Sequence, residues 1–310
     1  MVRALAIAGR EEQASVQDVE VPAPGPGQVR VTVEAASING IDGTAAAGYL
    51  WDMLPHSFPV VLGRDAAGTV DAVGDGVTAV TIGDRVTGVI TAMELGAGTI
   101  AEAAILDAGS VTTVPEGVSS TQAAAVGLAA VTAVDLVDAL TLTGDDTVLV
   151  SGATGGVGSF AVQLAAATGA TVLATSRPGT GETFVRDLGA TGVVDHTGDI
   201  AAAVKGAAPE GITAVVHAAG DAGMLAGLLH PGGRLASALG ADGEQLGRDD
   251  ITVTPVMGAA TPEKLRALLD QVAAGTLQVP THGTYPLDQA TTALAAFGGH
   301  KLGKLIVTTS

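Results

Sequence analysis

The chain has 310 residues, more than one average domain and enough to bury a large core, so two domains are expected. A formal charge of −18, with only 14 Lys and Arg residues, leaves no basic patch for a nucleic-acid backbone or an anionic membrane surface. The absence of cysteine excludes disulfides, thiol nucleophiles and thiolate zinc ligands, so any zinc would rest on His and carboxylate groups alone.

The amino terminus runs straight into strand-like residues without the charged, apolar and small-residue zones of a secretory leader, and a cytoplasmic location is the expectation. Short β-rich segments punctuated by Pro and Gly are expected at 2–8, 29–36, 58–62, 67–73 and 85–90. After Ser119 the pattern alternates. Helices are expected at 122–140, 158–167, 183–188, 200–207 and 223–229, and strands at 147–151, 171–176, 193–195, 214–218 and 233–238. This alternation predicts a doubly wound parallel sheet, hence an α/β protein. The longest apolar run, Ala123 to Val134, contains Gly127 and Thr132 and stops at Asp135, short of a membrane span. A further helix is expected over 262–274, with Pro262 at its start and Leu265, Leu268, Leu269 and Val272 on one face; a strand over 304–309 closes the chain.

The most informative stretch is the run from Val148 to Ala165, where an apolar strand enters the turn Gly152-Ala153-Thr154-Gly155-Gly156-Val157-Gly158 and leaves as an apolar-periodic helix. Glycines let the backbone approach phosphate oxygens that a Cβ would hold off, and the N–H groups and dipole of the following helix favour negative charge. Gly156 to Ala161 fits G-x-G-x-x-A, so a dinucleotide pyrophosphate is expected here. At the end of the next strand, where an NAD site would carry an acidic residue for the ribose hydroxyls, stand Ser176 and Arg177. A hydroxyl and a guanidinium suit a 2′-phosphate, which points to NADPH. Against it, Arg177 has the alternative of capping the turn before Pro178-Gly179, and Glu182 is close enough in sequence to weaken phosphate binding. His217, at the carboxyl end of strand 214–218, is expected to face the cofactor crevice with its backbone while its ring packs. His56 reads as an exposed loop residue, and His196, His230, His282 and His300 lack metal-ligand spacing.

Several motifs in order carry a resemblance across essentially the whole chain. They are Ser37-Ile38-Asn39-Gly40-Ile41-Asp42, Pro59 to Val70 with Gly63-Arg64-Asp65 inside it, Val80 to Val86, the glycine turn, Leu188-Gly189-Ala190, Pro231 to Leu235, and Gly303-Lys304-Leu305-Ile306-Val307. Together they resemble the medium-chain dehydrogenase/reductase superfamily, in its zinc-independent NADPH:quinone oxidoreductase branch typified by zeta-crystallin-like enzymes. The resemblance implies a GroES-like β-rich catalytic domain from both chain ends, 1–118 and 275–310, a Rossmann domain over 119–274, and a substrate cleft at their junction. Zinc alcohol dehydrogenases of the superfamily place a Cys near the first motif and a His in a Gly-His-Glu segment, where this chain has Ile38-Asn39-Gly40 and Gly63-Arg64-Asp65. Without a Lewis acid, an already activated acceptor, a quinone or conjugated enone, is the expected substrate.

The resemblance further implies site roles for Asn39, Asp42, Tyr49, Thr132 and Lys304. Asn39 would hydrogen-bond the acceptor oxygen or the cofactor, and Tyr49 would give a proton or a polar wall; Asp42 either serves the site or caps a short helix over 43–47. Tyr49 and Trp51, scarce aromatics, are expected to line substrate, with a local hydrophobic plug as the alternative; Thr132 would approach the nicotinamide carboxamide or bond its own helix; Lys304 would reach the cofactor or substrate edge. Arg64 and Asp65 are expected to pair. The run from Asp250 to Val256 implies a homodimer through a continued sheet. Two other readings remain open: an enoyl-thioester reductase, for which this acidic chain offers little phosphate-binding charge, and a cofactor-binding or non-redox biosynthetic module on the same fold.

Overall fold

The structure is a computed structural model and describes residues 1–309. From the amino terminus, β1 (Val2–Ile7) pairs antiparallel with β2 (Ser15–Val19), and a Pro- and Gly-rich turn leads into the long β3 (Gln28–Ile38). Helix α1 (Gly40–Ala46) follows at once, then β4 (Val60–Val61), β5 (Asp65–Val73), β6 (Arg85–Val89), β7 (Ala103–Asp107) and β8 (Val111–Thr113). Helix α2 (Ser120–Leu140) opens the alternating series β9 (Thr147–Ser151), α3 (Gly156–Ala167), β10 (Thr171–Ser176), α4 (Thr180–Asp187), β11 (Gly192–Asp195) and α5 (Ile200–Ala207). It continues through β12 (Ile212–His217), α6 (Ala222–Ala226), β13 (Leu229–Ser237), α7 (Gly243–Leu246) and β14 (Thr252–Pro255). The last elements are α8 (Pro262–Ala273), β15 (Thr281–Pro286), α9 (Ala290–Phe297) and β16 (Lys304–Thr308).

Two compact units result, one of Met1–Leu128 with the segment from Ala260 onward, the other of Ala129–Ala259. In the first, strands run in the order β15-β16-β3-β5-β6-β8 with β7 also on β3, beside a second sheet ordered β2-β1-β4. β3 holds this unit together because Val29, Val31 and Val33 are buried while Arg30 and Thr32 between them are not, the period of a half-buried strand. Its other end joins a core with Leu5, Ile7, Ile38, Leu62, Ile100 and Leu305. Helix α8 packs on β8 and β6 with Leu265, Leu268, Leu269 and Val272 buried, so it belongs to this unit rather than to the stretch 119–274 expected for the Rossmann part. Pro262 takes the first turn as read, and the structure adds a cap, the Thr261 side chain accepting the Lys264 N–H at 3.2 Å.

The second unit is a six-stranded parallel sheet ordered β11-β10-β9-β12-β13-β14. Strand order reverses between β9 and β12, and in open α/β sheets a crevice for ligands lies outside the carboxyl ends of the strands at that point. Val148, Leu149, Val150, Val215 and Val216 are fully buried, as strands covered on both faces require. Helix α2 is longer than its apolar run suggested and has the length and hydropathy of a membrane span, yet most of that window is buried inside the protein. Gly127 breaks it with a non-helical backbone (φ −21°, ψ −113°).

Candidate active site

Strand register builds a buried polar cluster in the first unit. β3 pairs with β5 so that Ser37 lies opposite Asp65, and with β16 so that Ile38 lies opposite Leu305, which brings Lys304 beside Asn39. Asn39 leaves β3 in an extended conformation and opens α1. Its side-chain amide donates to Asp65 Oδ1 at 3.0 Å and to the Ser37 carbonyl at 3.3 Å, while its Oδ1 accepts the Lys304 ammonium at 2.6 Å. Lys304 also donates to the Ile38 carbonyl at 3.2 Å. Asp65 accepts the Ser37 hydroxyl at 2.5 Å and, through Oδ2, the Leu128 N–H at 2.8 Å. That last donor is available because the chain departs from helix at Gly127, where a Cβ would collide with the Asp65 side chain.

Asp42 does not begin the short helix, as a capping role over 43–47 would require. Asn39 does, and Asp42 in the first turn reaches back to it, accepting the Asn39 N–H at 2.8 Å and the Gly63 N–H at 2.7 Å. Burial pushes the Asp42 carboxyl up from 3.8 to about 6, with the two N–H bonds and Lys304 opposing and Asp65 adding to the rise. Burial likewise draws the Lys304 ammonium below its ordinary value, and Asp65 and Asp42 partly restore it. The structure brings Asn39, Asp42 and Lys304 into one cluster, with Lys304 on Asn39 Oδ1 and the Asp42 oxygens on the backbone N–H groups of Asn39 and Gly63.

Arg64 corrects one expectation, since it does not pair with Asp65. Adjacent residues along extended chain point to opposite faces. Gly63 turns the chain at φ +97°, a conformation that favours glycine, and a Cβ there would meet Thr99 Oγ1 at 2.5 Å and the Ile100 nitrogen at 2.6 Å. Arg64 follows with Nη1 on the Ala92 carbonyl at 2.5 Å, while its buried Nη2 has no hydrogen-bond partner. Of the two alternatives for Trp51 the structure takes the hydrophobic plug: it is 6% exposed and packs edge-on against Phe58 and tilted against His56, so it fills core. His56 is half-buried in that aromatic cluster rather than exposed. Tyr49 is 73% exposed and lines a groove of about 650 Å³ with Gly40, Thr44, Leu294 and Phe297.

In the second unit the glycine turn has the form a pyrophosphate needs. Gly152 adopts φ +75° and donates its N–H to Thr175 Oγ1 at 2.9 Å. At Gly158 a Cβ would drive into the Gly152 carbonyl, so the turn closes only on glycine there. Helices α5, α6 and α7 are capped by the side chains of Asp199, Asp221 and Asp242, whereas α3 starts at Gly155 with no side-chain cap. Its first N–H groups therefore stand ready for an anion, flanked by Ala153, Thr154, Gly156 and Val157. Thr132 is buried against Gly258, where a Cβ would strike its hydroxyl.

Ser176 is fully buried and donates its hydroxyl to the Arg177 carbonyl at 3.0 Å. Arg177 is exposed at the end of β10, and its charge helps hold the Asp195 carboxyl below the usual range, after the Thr197 hydrogen bonds. Glu182 is drawn away to Arg186, one turn on, at 3.0 Å. The His217 ring is a clamp. Ser237 Oγ accepts the N–H groups of Leu239 and Ala241 at 3.1 Å each, so its own proton goes to His217 Nδ1 at 2.9 Å, and Nε2 donates to the Gly220 carbonyl at 3.1 Å. The tautomer is assigned from this network.

Two family models match the chain: the alcohol dehydrogenase GroES-like domain over residues 25–116 and the zinc-binding dehydrogenase over residues 156–273. A chloroplast envelope quinone oxidoreductase homolog of Arabidopsis thaliana is 32% identical over 95% of this chain and 94% of its own length. A mycocerosic acid synthase-like polyketide synthase of Mycolicibacterium smegmatis is 34% identical over 96% of this chain, which spans 15% of that much longer protein. The structure of the quinone oxidoreductase from Coxiella burnetii superposes with a TM-score of 0.88 at 26% identity, covering 100% of this chain and 99% of the other. The zinc named by the second family does not fit the donors present. There is no cysteine, no three His, Asp or Glu side chains are grouped to hold an ion among the described residues, and the polar cluster already encloses an ammonium. With its GroES-like and Rossmann-like parts, the chain belongs to the medium-chain dehydrogenase/reductase superfamily of nicotinamide-dependent oxidoreductases, in the quinone oxidoreductase branch.

Proposed function

We propose that this protein is a zinc-independent reductase that delivers hydride from NADPH to a quinone or an α,β-unsaturated carbonyl compound. The observation that carries this reading is the buried cluster of Lys304, Asn39, Asp42 and Asp65, which supplies fixed charges and no metal-ligand set. Alcohol oxidation by this superfamily's zinc route needs a Lewis acid on the alcohol oxygen. A conjugated acceptor instead spreads the arriving charge onto its own oxygen, and the protein need only hold the reactants and stabilise that oxygen.

Bound NADPH supplies the hydride. The turn Gly152–Gly158 and the uncapped start of α3 would hold its pyrophosphate, and Arg177 its 2′-phosphate, with Glu182 diverted by Arg186. Thr132 and the backbone at His217 would face the nicotinamide end. Asn39 and Asp42 act as positioning residues, and Tyr49 offers an exposed phenol as a proton donor or polar wall. Replacing Arg177 with Ala should raise the KM for NADPH roughly tenfold to a hundredfold, the worth of one charge-assisted contact, and leave that for NADH within about twofold. Equal effects on both cofactors would remove the 2′-phosphate assignment.

A second reading, reduction of an enoyl thioester, is favoured by the likeness to a segment of a polyketide synthase. A crotonyl thioester in the same assay as quinones and enones separates the two. A cytoplasmic homodimer joined along β14 completes the proposal, whereas a non-redox module would bind NADPH and consume none.

A further inference from the structure

Around Asn39 every buried polar side-chain atom has a partner: both Asp42 oxygens accept amide protons, the Asn39 amide is shared between Asp65 and Ser37, and Lys304 donates to Asn39 and Ile38. Arg64 differs. It is 5% exposed, and among the described residues its Nη2 is the one buried side-chain nitrogen or oxygen without a hydrogen-bond partner. Leaving such a donor unsatisfied costs about 1–3 kcal/mol, more for a charged group, so the arrangement is explained if a ligand completes it. The guanidinium is also held in place. The Gly63 turn fixes its backbone, the Arg64 carbonyl accepts the Ile90 N–H at 2.6 Å, and Nη1 is tied to Ala92. Its field reaches Asp42, whose carboxylate offsets part of the effect of burial on Arg64. A fixed cationic donor, desolvated and with one unspent N–H pair, has the properties that stabilise an oxygen gaining negative charge.

We propose that Arg64 binds the acceptor oxygen, its Nη2 donating to the carbonyl or phenolate oxygen on which charge gathers during reduction. The guanidinium keeps all its protons and forms no covalent bond. The proposal rests on the reading of the protein as an acceptor reductase, and it names the group that makes up for the missing Lewis acid. It also assigns the residue a task that its sequence neighbour, Asp65, does not share.

The test uses the full chain with the oxidised cofactor present and compares wild type with Arg64→Met and Arg64→Lys. The probes are 4-nitrophenolate, a stable phenolate, and nitrobenzene, its uncharged counterpart, followed by calorimetry. The expected result is phenolate binding weakened at least tenfold in Arg64→Met, with nitrobenzene binding unchanged and the melting temperature no lower by more than a few degrees. Arg64→Lys, which keeps the charge but not the fixed fork, should fall between. For any acceptor that wild type reduces, kcat/KM should drop about a hundredfold in Arg64→Met. Phenolate affinity and kcat/KM within twofold of wild type would overturn the proposal, as would failure of both variants to fold, which would make Arg64 a structural residue. If wild type reduces no acceptor, the reductase reading fails by itself, and the phenolate comparison still decides whether Arg64 is an oxyanion site.

Discussion

Asp42 binds its proton more tightly in the folded protein, at about 6, than at the ordinary carboxylate value of 3.8. The sign follows from linkage: its contribution to stability is fully present below about pH 4 and is lost as pH rises toward 6. A shift of this size corresponds to roughly 3 kcal/mol. Asp42→Asn does not titrate, so thermal melts from about pH 4 to pH 7 should show wild type losing stability relative to the variant; a constant gap would mean that Asp42 is not a buried, proton-holding carboxyl. Lys304→Met is a harsher change, because it leaves the Asn39 carbonyl and two buried carboxylates without their cation. It should cost about 3 kcal/mol or more in urea unfolding, against a much smaller loss for Arg64→Met, whose donor is already half unpartnered. The sequence marked Asn39, Asp42 and Lys304 through motifs alone. It misread Arg64, because neighbours in sequence suggested an ion pair that extended backbone forbids, and Gly63 just before it was the available signal. For Trp51 the sequence left substrate lining and a hydrophobic plug open, because scarcity of aromatics says nothing about whether a loop aromatic packs inward; Phe58 and His56 decide for the plug.

At the level of elements, periodicity was informative where burial is one-sided or complete. The strands from β9 to β13, the helix α8 and its Pro262 start could all be read from pattern. β15 could not, since Thr281–Pro286 is largely polar and mostly exposed, and α9 is a run of Ala and Thr with little contrast between its faces. The break in α2 was visible only as a glycine inside a helical pattern. Gly127→Ala should destabilise the first unit by forcing Asp65 away from the Leu128 N–H; a melting temperature equal to wild type would show that the break is tolerant rather than required. Among the described residues β14 pairs only with β13 and leaves its other edge open, so a homodimer continued through that edge should appear as twice the chain mass in light scattering. A monomer at micromolar concentration would exclude it.

For the whole molecule, the order of motifs carried the fold, since a β-rich beginning, an alternating middle and a terminal strand admit few other architectures. The unit boundaries were not legible. They fall just past the Gly127 break inside α2 and before α8, and only packing assigns α8 to the β-rich unit. The chemistry proposed here divides in the same way: the parallel sheet has the uncapped helix start after the glycine turn to which the pyrophosphate is assigned, and the β-rich unit encloses the Lys304 cluster to which the acceptor chemistry is assigned. The proposed reaction requires that an activated acceptor consume NADPH. The direct measurement is anaerobic oxidation of NADPH against quinones, enones and a crotonyl thioester, with NADH as control. The account predicts turnover with quinones or enones and a clear preference for NADPH. Binding of NADPH without turnover of any acceptor would contradict it.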